Sequence, residues 1–311
     1  MRVLVTGWFS FLDGEATAGD VGSARTVAAA LTGAGIAHDI AWSPAFRPGA
    51  TTLEDADPHH YSHLLFVCGP AHGDQVRRLH ERYARCRRVA VGVSVIDPHD
   101  PAVRGFHHLI ARDAPGRAPR ADLAHSAPVE DGGPVVGVVV APRQPEYGRR
   151  GAHEAIHGRL TGWLARRDCA RLPLDTRLAW EEWRHCATPA QFDALVRRVD
   201  VVVTTRLHGL VLALRNGVPA LAVDPVLGGA KVAAQARAWG WPVVVTDTGT
   251  LPVDLLERTW EWCLSPDART AAQALAPAPP EQAPLAAGLL DLLDGNADPA
   301  PAATRSGPET R

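Results

Sequence analysis

Lysine is almost missing from this sequence. Of the 32 basic residues, all but Lys231 are arginine. Such a bias replaces lysine wherever charge alone matters, so Lys231 marks either a place where a compact ammonium is needed or a chance survivor. Cysteine is sparse too. Cys68, Cys86, Cys169, Cys186 and Cys263 are odd in number and lack zinc-knuckle or redox-dithiol spacing, so reduced structural thiols are expected. No apolar run approaches the roughly 20 residues that span a bilayer, which excludes a transmembrane segment. The chain opens on a strand rather than on a signal-peptide core, so a cytoplasmic location is expected, with peripheral attachment at the inner membrane face still open. A net charge of −2 argues against nucleic acid or an anionic membrane as a bulk partner. There is no GxGxxG, hence no claim to a dinucleotide cofactor. The 14 histidines include the pairs His59-His60 and His107-His108, but no acid or thiol accompanies them in a metal-ligand pattern, and no metal is expected.

What is present reads as an α/β protein. Hydrophobic residues make up 46% and charged residues 21%, a globular composition, and 311 residues suffice for two cores. Strands are expected at 3–6, 37–42, 63–68, 89–95 and 109–113, with helices at 23–31 and 75–86 between them. A Pro/Gly-rich and then acidic stretch places a boundary near 130. A second series follows, with strands at 135–141, 169–174, 201–203, 218–223 and 243–246 and helices at 153–166, 189–198, 206–215, 232–239 and 254–264. The expected architecture is two α/β domains with mainly parallel sheets. Their bounds are 1–130 and 131–265, followed by a helical segment at 266–295 and a disordered tail at 296–311. Trp180 and Trp183, three residues apart, are expected in the core rather than as a sugar-stacking wall.

The most informative stretch is 199–225. Its valines suit a strand buried on both faces, Thr204 and Thr205 suit a helix cap, and Leu207, Leu210, Val211 and Leu214 repeat with helical spacing. Asn216-Gly217 stops the helix before the next buried strand. Arg206 and His208 then sit in the first helical turn beside the carboxyl edge of a parallel sheet, where ligands bind and free helix amides favour an anion.

The run Thr205-Arg206-Leu207-His208-Gly209, with Gly217-Val218-Pro219 after it, closely resembles the signature of the polysaccharide pyruvyltransferase family. The resemblance implies a glycosyltransferase-B-like scaffold, two Rossmann-like domains with mainly parallel sheets facing across a cleft, that moves the pyruvyl group of phosphoenolpyruvate to a sugar, usually as a ketal in cell-surface or exopolysaccharide biosynthesis. His208 becomes the expected general acid/base and Arg206 a donor-binding residue. Gly19-Asp20 matches the end of the family's Asn-x-Gly-Asp motif, with Thr17 in place of the asparagine. Asp20 or Glu15 is expected to orient the sugar hydroxyl. Leu109 to Asp113 looks like the family's short strand and Arg-Asp pair, so Arg112 is either an anion contact or a partner of Asp113. Arg143 follows a strand where relatives also place an arginine. Lys231 stands where many have an Asp-Pro-Lys-like sequence, here separated from Asp224-Pro225 by a Gly-rich insertion.

Phosphoenolpyruvate carries a carboxylate and a phosphate, so several cations held apart suit it and no cofactor or metal is needed to neutralise it. The partners expected are this co-substrate, a saccharide or lipid-linked saccharide acceptor and a second copy of the chain. Two other readings stand beside this one: a glycosyltransferase using a sugar nucleotide on the same scaffold, and a saccharide- or anion-binding protein without turnover.

Overall fold

The computed structural model describes residues 1–275 and 283–293. The tail expected to be disordered, 296–311, lies outside the described residues. The chain divides into two compact units, Met1–Glu130 and Asp131–Arg311. Each is built on a five-stranded parallel sheet.

The first unit runs β1 (Arg2–Thr6), α1 (Ala18–Gly33), β2 (Ala37–Ile40), β3 (His63–Val67), α2 (Asp74–Arg82), β4 (Arg87–Ser94), α3 (Pro101–Arg104) and β5 (His108–Asp113). The sheet order is β2-β1-β3-β4-β5, and every pairing is parallel. Alternation along the strands gives it two cores. Leu4, Leu64, Phe66 and Ala90 pack with Val76, Leu79 and Tyr83, whereas Val3, Val5 and Val67 pack with Val27. Helix α1 begins at Ala18 rather than at 23 because Thr17 and Asp20 form a capping box. Gly19 and Gly22, poor helix formers, had disguised that start. Between β4 and β5 the register shifts at Val91, Val93 and Ser94, where Gly92 takes φ 67°. Such a bulge re-aims the strand end, here setting Ser94 opposite Asp113.

The second unit runs β6 (Val135–Val139), α4 (His153–Leu164), β7 (Ala170–Pro173), α5 (Pro189–Val196), β8 (Val201–Thr204), α6 (Leu207–Arg215), β9 (Ala220–Val223), α7 (Lys231–Ala238), β10 (Val243–Val244), α8 (Val253–Cys263), α9 (Pro266–Ala274) and α10 (Pro284–Leu293). Its order is β10-β9-β8-β6-β7, again parallel throughout. Val201 and Val203 pack with Ile156 and Leu160 on one face, and Val202 with Phe192 and Leu210 on the other. β9 divides likewise, Leu221 and Val223 against Ala220 and Ala222. Each large aliphatic side chain so buried contributes about 1.5–3 kcal/mol relative to exposure, which makes β8 and β9 the rigid centre of the unit.

Trp180 and Trp183 correct an expectation. They are 84% and 88% exposed, not core. Residues between β7 and α5 form an irregular loop closed by a Leu178 to Cys186 bridge, so a spacing of three does not define a common helical face there.

Candidate functional site

The turn after β8 is fixed by two hydroxyls. Thr204 Oγ1 donates to the Val139 carbonyl at 2.8 Å and accepts the Arg206 N–H at 2.9 Å. Thr205 Oγ1 does not cap the helix but accepts the Ala141 N–H at 2.8 Å, tying the turn to the strand end beside it. Arg206 is therefore the N-cap residue, and α6 begins one position later at Leu207. Gly209 has a steric reason. A Cβ there would lie 2.1 Å from Thr204 Oγ1 and 3.1 Å from Val139 Cγ1, so only glycine lets α6 descend this close to the sheet.

Arg206 is partly buried and donates to Asp175 Oδ1 at 3.1 Å. Asp175, just past β7, also accepts from Arg177 through Nε at 2.8 Å, a second guanidinium nitrogen at 2.6 Å and the backbone N–H at 2.8 Å. Burial would raise the pKa of this carboxyl. The Arg177 bonds and the Arg177 and Arg206 charges outweigh it and hold Asp175 below the usual carboxylate range. His208 is exposed, and its imidazole has no hydrogen-bond partner among the described residues.

Lys231 opens α7, one position before the expected start. The Gly-rich insertion ahead of it is tightly held. Asp224, with no exposed surface, accepts N–H groups from Val226 at 3.0 Å, Ala230 at 2.7 Å and Ala233 at 2.8 Å. Arg150 pins the same loop through the Leu227 and Gly229 carbonyls. The ammonium of Lys231 lies 5.7 Å from the centroid of the Tyr147 ring. Tyr147 also stacks on His153, 6.2 Å between centroids and 29° between planes. His153 is 3% exposed and neither ring nitrogen has a partner. Burial lowers its pKa, Lys231 adds to that, and Asp224 opposes it. Arg143, after β6, is exposed and makes no ion pair among the described residues. β6, β8 and β9 are neighbours, and Arg143, the Arg206–His208 pair and Lys231 lie in the segments that follow them, Lys231 at the start of α7.

In the first unit, a cavity of about 650 Å³ is lined by Glu15, Gly19, Asp20 and Arg112, with Trp8 and Gly69. Gly69 takes φ 67°, and a Cβ there would lie 2.3 Å from the Trp8 indole. Asp20 accepts the Thr17 hydroxyl at 2.7 Å, so Thr17 serves the helix cap. Arg112 is fully engaged with its neighbours: Nε to Asp113 at 2.8 Å, one terminal nitrogen to Asp122 at 2.6 Å and the other to Ser94 Oγ at 2.6 Å. These bonds raise its pKa, and Arg112 both pairs with Asp113 and lines the cavity. Both acids are held below the usual range, Asp113 mainly by Arg112, Asp122 mainly by the Ala124 N–H.

The eight candidate residues thus fall into two groups, one in each unit. Sequence inspection missed Asp175, Tyr147 and His153. Asp175 was findable as an acid directly after a strand, and His153 as the first residue of a helix leaving an edge loop. Among the described residues no group of three or more His, Cys, Asp or Glu side chains is placed to hold a metal. No helix among them is long and apolar enough to cross a membrane.

Comparison with curated proteins returns no match. Among solved structures, the spinosyn rhamnosyltransferase SpnG complexed with thymidine diphosphate is 12% identical over 89% of this chain and 95% of that one, with a TM-score of 0.33. The E. coli heptosyltransferase WaaC with ADP is 13% identical over 85% and 100%, with a TM-score of 0.24. Likeness at these scores carries no argument. The family comparison bears directly on the organising stretch: residues 168–225, which hold β7 through β9 with Asp175, Arg206 and His208, match the polysaccharide pyruvyl transferase family model.

Proposed function

We propose that the protein transfers the pyruvyl group of phosphoenolpyruvate to hydroxyls of a saccharide, forming a ketal and releasing inorganic phosphate. The observation that carries this reading is the end of β8. There, inside the matched family segment, an exposed imidazole and a guanidinium stand one residue apart at the carboxyl edge of a parallel sheet.

The donor has two anionic groups on a three-carbon skeleton. Arg206, Lys231 and Arg143, in the segments that follow three adjacent strands, supply separated cations, and the first amides of α6 add a partial positive charge. The reaction begins with a proton delivered to the enol methylene, which leaves the adjacent carbon electron-poor. A sugar hydroxyl oxygen bonds to that carbon and loses its proton, the carbon–oxygen bond to phosphate breaks, and a second hydroxyl closes the ketal. Two hydroxyl protons are released; one ends on the new methyl group and one on phosphate. Imidazole exchanges protons in both directions near neutral pH, so His208 is the general acid/base. Asp20 and Glu15 are carboxylates suited to accepting from sugar hydroxyls, and Gly19 lines the cavity beside them.

The test is to incubate the full chain with phosphoenolpyruvate and a panel of glycosides while following phosphate release and product mass. A gain of one pyruvyl group with loss of two hydroxyl protons supports the reading. Release of a nucleoside diphosphate from a sugar nucleotide, with no phosphate from phosphoenolpyruvate, would replace it with glycosyl transfer.

A further inference from the structure

The loop between β7 and α5 holds a second feature that the proposed chemistry does not use. Beside it lies a groove of about 690 Å³ whose floor includes Leu172, Leu174 and Phe192 and whose rim includes Asp175, Trp183 and His185. Trp180 and Trp183, on the same loop, are 84% and 88% exposed. Two indoles displayed this openly beside an apolar groove offer flat aromatic surface to a ligand.

The loop is not slack. Ala179 N–H bonds to the Cys186 carbonyl at 3.0 Å and His185 N–H to the Glu182 carbonyl at 2.9 Å. Arg184 forms a two-point pair with Glu182, at 2.9 and 2.6 Å, and its guanidinium lies 6.0 Å from the Trp183 ring centroid. Four of the loop's charges are paired within it, Arg177 with Asp175 and Arg184 with Glu182, whereas Glu181, exposed between the two indoles, makes no ion pair among the described residues. What remains for a ligand is flat aromatic surface, an apolar floor, paired polar groups on the rim and one carboxylate, Glu181, able to accept from hydroxyls. That combination suits an uncharged polyhydroxylated ring: the C–H face of a pyranose is apolar and faintly positive, and it meets the electron-rich indole face. The groove also abuts the donor residues, because Asp175 on its rim is the carboxylate that holds Arg206.

We infer that Trp180 and Trp183 with the adjoining groove form a saccharide subsite that holds sugar units of the acceptor next to Arg206. The inference rests on the proposed reaction for the word acceptor; the binding itself does not depend on turnover. Unbranched neutral tetrasaccharides of glucose, galactose, mannose and N-acetylglucosamine, titrated calorimetrically into the full chain without phosphoenolpyruvate, test it. At least one is expected to bind. Trp183→Ala should weaken that binding about tenfold or more, as truncating a buried aromatic anchor does. Trp183→Phe, which keeps a flat ring, should stay within about threefold of wild type, and Trp180→Ala should fall between. Phosphoenolpyruvate affinity should be unmoved in all three. The inference is overturned if none of the four sugars binds, or if the doubly truncated variant binds as wild type. It is equally overturned if that variant converts a self-associated species to monomer in sedimentation, since the indoles would then cover a second copy. Sugar binding that depends on the tryptophans without any phosphate release would sink the reaction and leave the subsite standing.

Discussion

Two arginines stand at the ends of parallel strands, Arg112 in the first unit and Arg206 in the second, and their surroundings are opposite in charge. Around Arg112 one guanidinium faces two carboxylates, Asp113 and Asp122, and its third group is a serine hydroxyl. Around Asp175 one carboxylate faces two guanidiniums, Arg177 and Arg206. The cavity beside Arg112 also receives Glu15 and Asp20, whereas Arg143 and Lys231 lie in the segments that follow the strands on either side of β8. An arginine at a strand end therefore does not by itself make an anion site. The sign of the charge left after local pairing decides it, and of these two settings only the one at Arg206 keeps a surplus of positive charge. A doubly anionic donor is favoured there and disfavoured at the acid-lined cavity, which suits a neutral polyol better.

The contrast can be broken most severely at the imidazole. His208→Ala should lower kcat by about 10²–10⁴-fold, the usual worth of a general acid/base, while donor affinity stays within about threefold. Undiminished turnover would remove this side chain from the mechanism. Next is the buried carboxylate of Asp224. Asp224→Ala leaves three loop and helix N–H groups without an acceptor and should destabilise the chain by about 2–4 kcal/mol, read as a lowered denaturant midpoint, with weaker donor binding as Lys231 loses its anchorage. The arginines then give the direct comparison. Arg206→Ala should weaken phosphoenolpyruvate binding about 10–100-fold, the loss of a charge-assisted contact. Arg112→Ala should leave that affinity within about threefold and instead cost about 1–2 kcal/mol of stability. Equal losses of donor affinity from the two would erase the distinction between the units.

Much of the fold was legible because its signals are local. Valine runs between turn residues located β8 and β9, and helical spacing located α6, since burial on both faces forces those patterns into the sequence. The start of α1 was harder, because Gly19 and Gly22 hide it and only the Thr17 to Asp20 reciprocity reveals it. The site was legible where it follows the chain and obscure where it depends on distant pairing. Arg206 and His208 stand in one short run. That Arg112 is neutralised requires Asp122, beyond β5, and that Arg206 is held requires Asp175, on a loop from a different strand. Trp180 and Trp183 went wrong for the same reason: spacing assigns a face only once the segment is known to be helical.

The smallest effect expected is a titration, and each unit supplies one buried histidine to compare. His80 is buried in the first unit, with Nε2 2.8 Å from the Ala102 carbonyl, and His153 is buried in the second with no partner on either nitrogen. Burial pushes both below the ordinary histidine range, opposed at His80 by the Ala102 bond and at His153 by the Asp224 charge, with Lys231 there adding to the lowering. A histidine whose pKa is lowered on folding binds its proton in the unfolded chain first. Stability therefore falls as pH drops below the unfolded value of about 6.5, and the loss is complete once pH passes below the folded value. Above about 6.5 both states are neutral and neither histidine contributes a slope. His153→Phe keeps an aromatic ring against Tyr147 and removes the titration. Urea midpoints measured from pH 7.5 down to pH 5 should therefore fall less steeply for the variant than for wild type, with the remaining slope including the part due to His80. An identical slope in the variant would mean that His153 accepts its proton in the folded protein as readily as in the unfolded one, and that Tyr147 and Lys231 do not seal it from water.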